Sequence, residues 1–176
     1  MNTPLSKVAL VAVAGHPVLL LDNRPQAAEA AVAALRAQLD KLAEGKMTPQ
    51  AADLRLQIAT QFSDLAAATL VVEAIVENLQ AKEALFKDLK ALVSADCLFG
   101  SNTSSISITA IGSALQHPQR MAGLHFFNPA PVMALVEVVS GESGGFRIRL
   151  CPWASIIRKA GWPGPTRSAC GTSRRC

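Results

Sequence analysis

Short apolar runs alternate with segments of helical periodicity along most of the chain, and this alternation restricts the possible folds more than any other feature. Continuous apolar runs of this length are typical of strands buried in a parallel sheet. The helical patterns between them predict an α/β fold, in which ligands bind at the carboxyl ends of the strands. The predicted strands cover residues 7–14, 17–21, 69–74, 97–99, 121–126 and 135–139.

The segment after Asp22 predicts a helical hairpin inserted between two strands. Pro25 suits the first turn of a helix, and apolar residues follow it at helical spacing over residues 27–42. Thr48-Pro49 is typical of a helix start and predicts a second helix through about Ile58. Two more helices are predicted, over residues 79–93 and 106–115.

Charge divides the chain into a folded part and a tail. Residues 1–141 carry ten Lys and Arg against twelve Asp and Glu, a net charge of −2, whereas residues 142–176 carry seven against one, a net charge of +6. We therefore predict one domain over 1–141 and an irregular, disordered basic tail over 142–176, which a shifted reading frame after Gly141 would explain. Because the basicity belongs to the tail and no segment is long enough to span a membrane, we expect neither a nucleic-acid nor a membrane partner.

Cysteine use predicts a reducing, cytoplasmic setting without a metal site. Cys97 is the single cysteine before the tail, and the other three have spacings that fit no usual zinc motif. The alternative is export, since Lys7 followed by apolar residues 8–14 has the flank and length of a signal-peptide core. The second apolar run, which ends at Asp22 as a strand would, favours the cytoplasmic interpretation.

Polar side chains with complementary chemistry follow three of the predicted strands. Ser101-Asn102-Thr103-Ser104-Ser105 offers hydroxyl and amide groups, His125 offers an imidazole, and Glu137 offers a carboxylate that could orient it. Together these are the parts of a proton-transfer site. Each also has a structural interpretation: His125 as a core histidine, Glu137 as a solvent-facing strand residue, and Ser104 as a helix cap.

Three ordered motifs resemble the nucleotide-binding half of the 3-hydroxyacyl-CoA dehydrogenase family: Ser101–Ser105, Gly-Leu-His-Phe-Phe-Asn-Pro at 123–129, and Leu-Val-Glu-Val at 135–138. The resemblance covers about residues 7–141 and implies an incomplete Rossmann-like NAD-binding domain. The predicted strands 7–14 and 17–21 are joined by four residues or fewer, too short for a parallel crossover. By resemblance, the glycine loop and first crossover helix are missing there, and the family's all-helical domain with its homodimer contacts is absent.

The resemblance also implies a role for each candidate residue at the reaction centre. His125 is the general base and Glu137 its carboxylate partner. Ser104 contacts the C3 oxygen of the substrate and the nicotinamide end of NAD, while Asn102 and Asn128 lie near the nicotinamide. Asn128 is also assigned to the substrate, although stabilising the turn around it is the alternative.

Further from the reaction centre, the resemblance places Asp22 on the adenine ribose hydroxyls, which favours NAD over NADP. Glu77 and Lys82 match positions near the nicotinamide ribose, with exposed surface charges as the alternative. Lys41 and Lys46 in the hairpin are candidate partners of the CoA phosphates.

The function that these expectations support is NAD-dependent oxidation of the 3-hydroxyl of a (3S)-3-hydroxyacyl-CoA, in fatty-acid or aromatic-acid degradation. The main alternative is a truncated, catalytically inactive remnant that binds CoA or partner subunits weakly. A binding domain of the sugar-nucleotide dehydrogenase type shares the fold, but it lacks the His-Phe-Phe-Asn-Pro motif.

Overall fold

The computed structural model describes residues 16–24, 26–43, 55–126, 135–141 and 148–152, and these fall into two units divided after Ala66. Residues 7–15, which include the predicted first strand and the start of its connection to the second, lie outside the described residues. Pro25 and residues 48–54, where the second hairpin helix is predicted to begin, lie outside them as well.

The first unit is a two-stranded parallel sheet with one long helix. Strand β1 (Val18–Leu20) pairs in parallel with β2 (Leu56–Ile58), and the backbone N–H of Ala59 continues the ladder to the carbonyl of Leu20 at 2.8 Å. Helix α1 (Ala27–Ala43) packs against β2 and buries Val32 and Leu35 on one face, as its apolar spacing predicts.

The predicted helix through Ile58 is wrong at its end, because Leu56–Ile58 form β2. A run of three residues carries almost no periodic signal, and the hydrogen bonds that settle its conformation go to β1, more than thirty residues earlier in the chain. Leu56 is 4% exposed, so the strand also contributes to the core of this unit.

The second unit contains a five-stranded sheet whose strands lie side by side in chain order. The first three strands are parallel, and the last two turn antiparallel. The predicted α/β architecture is therefore confirmed, with an antiparallel extension. The strands are β3 (Leu70–Glu73), β4 (Leu98–Ser101), β5 (Met121–Phe126), β6 (Leu135–Ser140) and β7 (Ile148–Pro152).

Two helices of this unit begin at side-chain caps. The Asn78 side chain accepts a hydrogen bond from the Ala81 N–H at the start of α2 (Leu79–Leu89), and Ser107 does the same for Ala110 at the start of α3 (Ile108–Gly112). Helix α2 buries Phe86 and Leu89, and the Phe86 ring meets the Phe99 ring of β4 edge-on, with 5.4 Å between centroids.

The prediction that residues 142–176 are irregular throughout is wrong for Ile148–Pro152, which form strand β7. Ile148–Pro152 pairs antiparallel with β6, with Leu150 opposite Glu137. Its sequence, Ile-Arg-Leu-Cys, alternates apolar and polar residues in its first part, which is a strand pattern too short to stand out among the surrounding Gly and Pro residues. The rest of the tail lies outside the described residues.

The parallel direction of β3, β4 and β5 brings their carboxyl ends to one edge of the sheet. Glu73 and Ser101 are the last residues of β3 and β4, and His125 is the second-last residue of β5. Three polar residues that are far apart in the sequence are thus gathered at the edge where α/β proteins bind ligands.

Phe86→Ala should lower the free energy of unfolding by about 3–5 kcal/mol, because the ring is completely buried against Phe99 and its loss leaves a cavity. Urea unfolding followed by circular dichroism measures the change. Leu92→Ala is the matched control: Leu92 is 40% exposed, so we expect a change within about 0.5 kcal/mol. A loss below about 1 kcal/mol for Phe86→Ala would contradict this description of the core.

Candidate active site

His125 and Glu137 face each other across neighbouring strands. The antiparallel register of β5 and β6 pairs these two residues directly, so their side chains project from the same face of the sheet. The Nδ1 atom of His125 lies 3.3 Å from Oε2 of Glu137. The side chains are 43% and 27% exposed, respectively, so the pair is held by the sheet yet remains open to a ligand.

The pair lines a cleft of about 490 Å³, and the segment 103–109 forms another part of its wall. Ser104 is exposed and lies in this wall. Gly123 of β5 makes the cleft geometry possible: a Cβ atom built there would lie 2.9 Å from Cδ1 of Ile108 and 3.3 Å from Cβ of Val139. A larger residue at this position would therefore require the Ile108 side chain to move and Val139 to shift slightly.

Glu77 fixes the conformation of the serine-rich wall. Its Oε1 atom accepts hydrogen bonds from the Thr103 hydroxyl, from the backbone N–H groups of Ser104 (3.1 Å) and Ser105 (3.2 Å), and from the Ser105 hydroxyl (3.0 Å). Burial acts to raise the pKa of Glu77, but these hydrogen bonds outweigh it and lower the pKa to about 2. The carboxylate is consequently ionised across the physiological range.

Lys82 lies behind Glu77 and is 1% exposed, which makes it a buried ion-pair residue rather than the surface charge considered above. Its Nζ is 2.5 Å from Oε1 of Glu73 and 3.3 Å from Oε2 of Glu77. Glu73 is buried as well, and it accepts further hydrogen bonds from the Ser101 hydroxyl (2.6 Å) and the Ile75 N–H (2.8 Å). The two buried charges, Lys82 and Glu73, are therefore paired and hydrogen-bonded, as burial requires, whereas the side chain of Glu77 is 41% exposed.

Glu73 was not singled out as functional from the sequence, and the Thr103 hydroxyl, which was offered to a ligand there, donates to Glu77 instead. The sequence does contain an indication of a buried ion pair, because Glu73 lies inside the apolar run Leu70-Val71-Val72-Glu73-Ala74. A carboxylate in a buried strand needs a cation nearby. Lys82, in the helix that follows, supplies that cation.

Asp22 lies just after β1 in the first unit, and Arg24 binds its carboxylate through two nitrogens, at 3.0 and 2.8 Å. The side-chain and backbone hydrogen bonds from Arg24 lower the pKa of Asp22 to about 2, so the group is a carboxylate at neutral pH. The backbone N–H of Asn102 donates to the carbonyl of Glu73 at 2.8 Å, which fixes Asn102 beside the end of β3.

The remaining candidates are not placed by the structure. Asn128 and Lys46 lie outside the described residues, as does the side chain of Lys41. Within the described ranges, the structure contains no group of three or more His, Cys, Asp or Glu residues suited to bind a metal ion. No helix among the described residues is long and apolar enough to cross a membrane.

Glu77→Gln should make the stability of the second unit less dependent on pH. The pKa of Glu77 in the folded state lies below its usual value of 4.5, so its stabilising contribution is complete above about pH 4.5 and is lost as pH falls toward 2. Urea unfolding at successive pH values should show the difference between wild type and variant shrinking over that window.

Ser105→Ala is the graded control, because it removes one of the hydroxyl donors to Glu77 and keeps the backbone N–H. We expect an intermediate pH dependence for this variant. A difference between wild type and Glu77→Gln that stays constant from about pH 6 to pH 2 would contradict the assignment.

The chain is similar to proteins of one enzyme family. The profile of the 3-hydroxyacyl-CoA dehydrogenase NAD-binding domain matches residues 6–145. Among curated relatives, the chain is 46% identical over 145 residues to 3-hydroxyadipyl-CoA dehydrogenase of Escherichia coli, covering 80% of the chain and 30% of that enzyme. It is 42% identical over 132 residues to a probable 3-hydroxybutyryl-CoA dehydrogenase of Bacillus subtilis, covering 73% of the chain and 46% of the relative.

Solved structures give the same result. A 3-hydroxybutyryl-CoA dehydrogenase from E. coli superposes with a TM-score of 0.75 at 40% identity, covering 91% of the chain and 33% of that structure. The (S)-3-hydroxybutyryl-CoA dehydrogenase of Ralstonia eutropha gives a TM-score of 0.71 at 35% identity, covering 78% of the chain and 50% of that structure. The chain thus spans half or less of these relatives.

These matches confirm the predicted family and the predicted NAD-binding domain. The chain belongs to the 3-hydroxyacyl-CoA dehydrogenase family, and its residues 6–145 correspond to the NAD-binding domain of that family.

Proposed function

We propose that the chain carries the NAD-binding and proton-transfer half of a 3-hydroxyacyl-CoA dehydrogenase, which oxidises the 3-hydroxyl of a (3S)-3-hydroxyacyl-CoA to the ketone. The observation that supports this proposal is the His125–Glu137 pair, which lies in one cleft with Ser104. An imidazole with a carboxylate partner, open to a ligand, is suited to exchange a proton with a hydroxyl group.

His125 acts as the general base in this proposal. Its Nδ1 is engaged by Glu137, so we assign proton transfer to Nε2, which takes the proton of the 3-hydroxyl during oxidation and returns it during reduction. Glu137 orients the ring and stabilises the imidazolium that forms, as carboxylate partners of catalytic histidines do. Ser104 donates its hydroxyl hydrogen to the C3 oxygen, and Asn128 holds the same end of the substrate.

The residues present fit the nicotinamide end of NAD. The cleft has a polar wall, and the exposed Ser104 lines it together with His125. NAD, when bound, supplies the hydride acceptor. We assign Asn102 and Ser104 to the nicotinamide end, with Glu77 and Lys82 near the nicotinamide ribose. Asp22, a carboxylate at neutral pH, is assigned to accept hydrogen bonds from the adenine ribose hydroxyls.

The substrate class follows from the family, and the CoA contacts are assigned by resemblance. We propose that Lys41 and Lys46 bind CoA phosphates as point charges, and that the reaction takes place in the cytoplasm, as the cysteine use predicts.

His125→Ala should lower kcat for reduction of acetoacetyl-CoA by NADH by about 10²–10⁴-fold, which is the usual contribution of a general acid–base residue. Glu137→Gln should lower kcat by a smaller factor, because the base remains but loses its orienting charge. Both rates are measured from the loss of NADH absorbance at about 340 nm.

His117→Ala is the matched control: this exposed histidine precedes a short 3₁₀ helix and does not line the cleft, so kcat should not change. Two results would count against the proposed function. One is a His125→Ala variant whose kcat equals that of wild type. The other is a folded wild-type chain without turnover, which would favour the inactive remnant.

A further inference from the structure

Asp22, the residue that we assign to the adenine ribose, is bound by a cation from the same loop. Arg24 donates to Oδ1 of Asp22 from its backbone N–H at 2.9 Å and from Nε at 3.0 Å, and it donates to Oδ2 from Nη2 at 2.8 Å. Both residues follow β1, just beyond the carboxyl end of the strand. The negative charge of Asp22 is therefore offset by a guanidinium group in direct contact with it.

The hydrogen bonds from Arg24 leave Asp22 with too few acceptor sites for a ribose. An ionised carboxylate has about four lone-pair sites, and the three donors of Arg24 leave about one of them. A ribose whose 2′- and 3′-hydroxyls both donate to this carboxylate needs two. Binding of the ribose to Asp22 therefore requires at least one of the bonds from Arg24 to break.

The guanidinium group of Arg24 can leave Asp22 at little cost. The Arg24 side chain is 76% exposed and the Asp22 side chain is 31% exposed, and ion pairs in such a setting stabilise a protein only weakly. After leaving, the guanidinium group stays within reach of the ribose, because it starts in contact with the carboxylate that the hydroxyls approach. Its permanent charge and planar set of N–H donors are suited to bind a phosphate.

We propose that Arg24 is a specificity-determining residue, which lets the adenine ribose site accept the 2′-phosphate of NADP as well as the hydroxyls of NAD. With NAD, Asp22 accepts hydrogen bonds from the ribose. With NADP, the guanidinium group turns from Asp22 to the phosphate and offsets the repulsion between the two anions. An arginine near the ribose-binding acid accommodates the 2′-phosphate in other dinucleotide sites of α/β proteins. The inference rests on the proposed function for the position of the ribose.

Isothermal titration calorimetry of the full chain with NAD⁺ and with NADP⁺ tests this inference. Wild type should bind both nucleotides. Arg24→Ala should raise the Kd for NADP⁺ by about tenfold or more, because a charge-assisted contact with the phosphate is lost, and should change the Kd for NAD⁺ by less than about threefold. Arg36→Ala is the matched control: this exposed arginine lies about 14 Å from the start of α1, so both Kd values should stay unchanged.

The ³¹P NMR signal of the 2′-phosphate gives a second readout, which does not depend on a difference in affinity. At saturation, the signal should shift less with Arg24→Ala than with wild type. Arg24→Lys keeps the charge but loses the planar set of donors, so its Kd for NADP⁺ should lie between the other two, and this variant replaces Arg24→Ala if the latter does not fold. Asp22→Asn should change the preference in the opposite direction, by weakening NAD⁺ more than NADP⁺.

Three results would overturn the inference alone: a wild-type chain that binds NAD⁺ but not NADP⁺, an unchanged Kd for NADP⁺ in Arg24→Ala, or an equal loss of both nucleotides in that variant. The last would mean that Arg24 only maintains the loop after β1. A wild-type chain that binds neither nucleotide would overturn the proposed function, and this inference with it.

Discussion

The second unit of this protein depends on one buried ion pair, between Glu73 at the end of β3 and Lys82 in the first turns of α2. Both side chains are almost completely excluded from solvent, where an unpaired charge would be very costly. The pair is stabilised by its neighbours: the Ser101 hydroxyl and the Ile75 N–H donate hydrogen bonds to Glu73, and the carboxylate of Glu77 is a second partner of the Lys82 ammonium group. The strand ends and the helix start are therefore fixed relative to one another.

The direction of the strands brings the candidate site residues together. Three parallel strands deliver their carboxyl ends to the same edge, and the antiparallel return of β6 then places Glu137 directly opposite His125. A parallel β6 could not give this pairing after so short a connection. Gly123 allows α3 to pack closely on β5, so the serine-rich wall and the histidine border the same cleft.

Much of this could be predicted from local patterns, and the rest could not for identifiable reasons. The apolar runs located β1 and β3 through β6, and the motifs around His125 and Glu137 indicated a pair that the strand register brings to 3.3 Å. Strand β2 was mistaken for the end of a helix, because its conformation is decided by pairing with β1. The burial of Lys82 was missed because it follows from a carboxylate on a different element, which no periodicity along α2 reveals.

The central claim is that the serine-rich wall and the His125–Glu137 pair form the nicotinamide end of one site. Titration of the chain with NAD⁺, followed by ¹H–¹⁵N NMR spectra, tests this claim most directly. The amide signals of Asn102, Ser104, Ser105, His125 and Glu137 should shift together and saturate with a single Kd. Saturating NAD⁺ that leaves these five signals in place, or shifts only signals far from the cleft, would contradict the account.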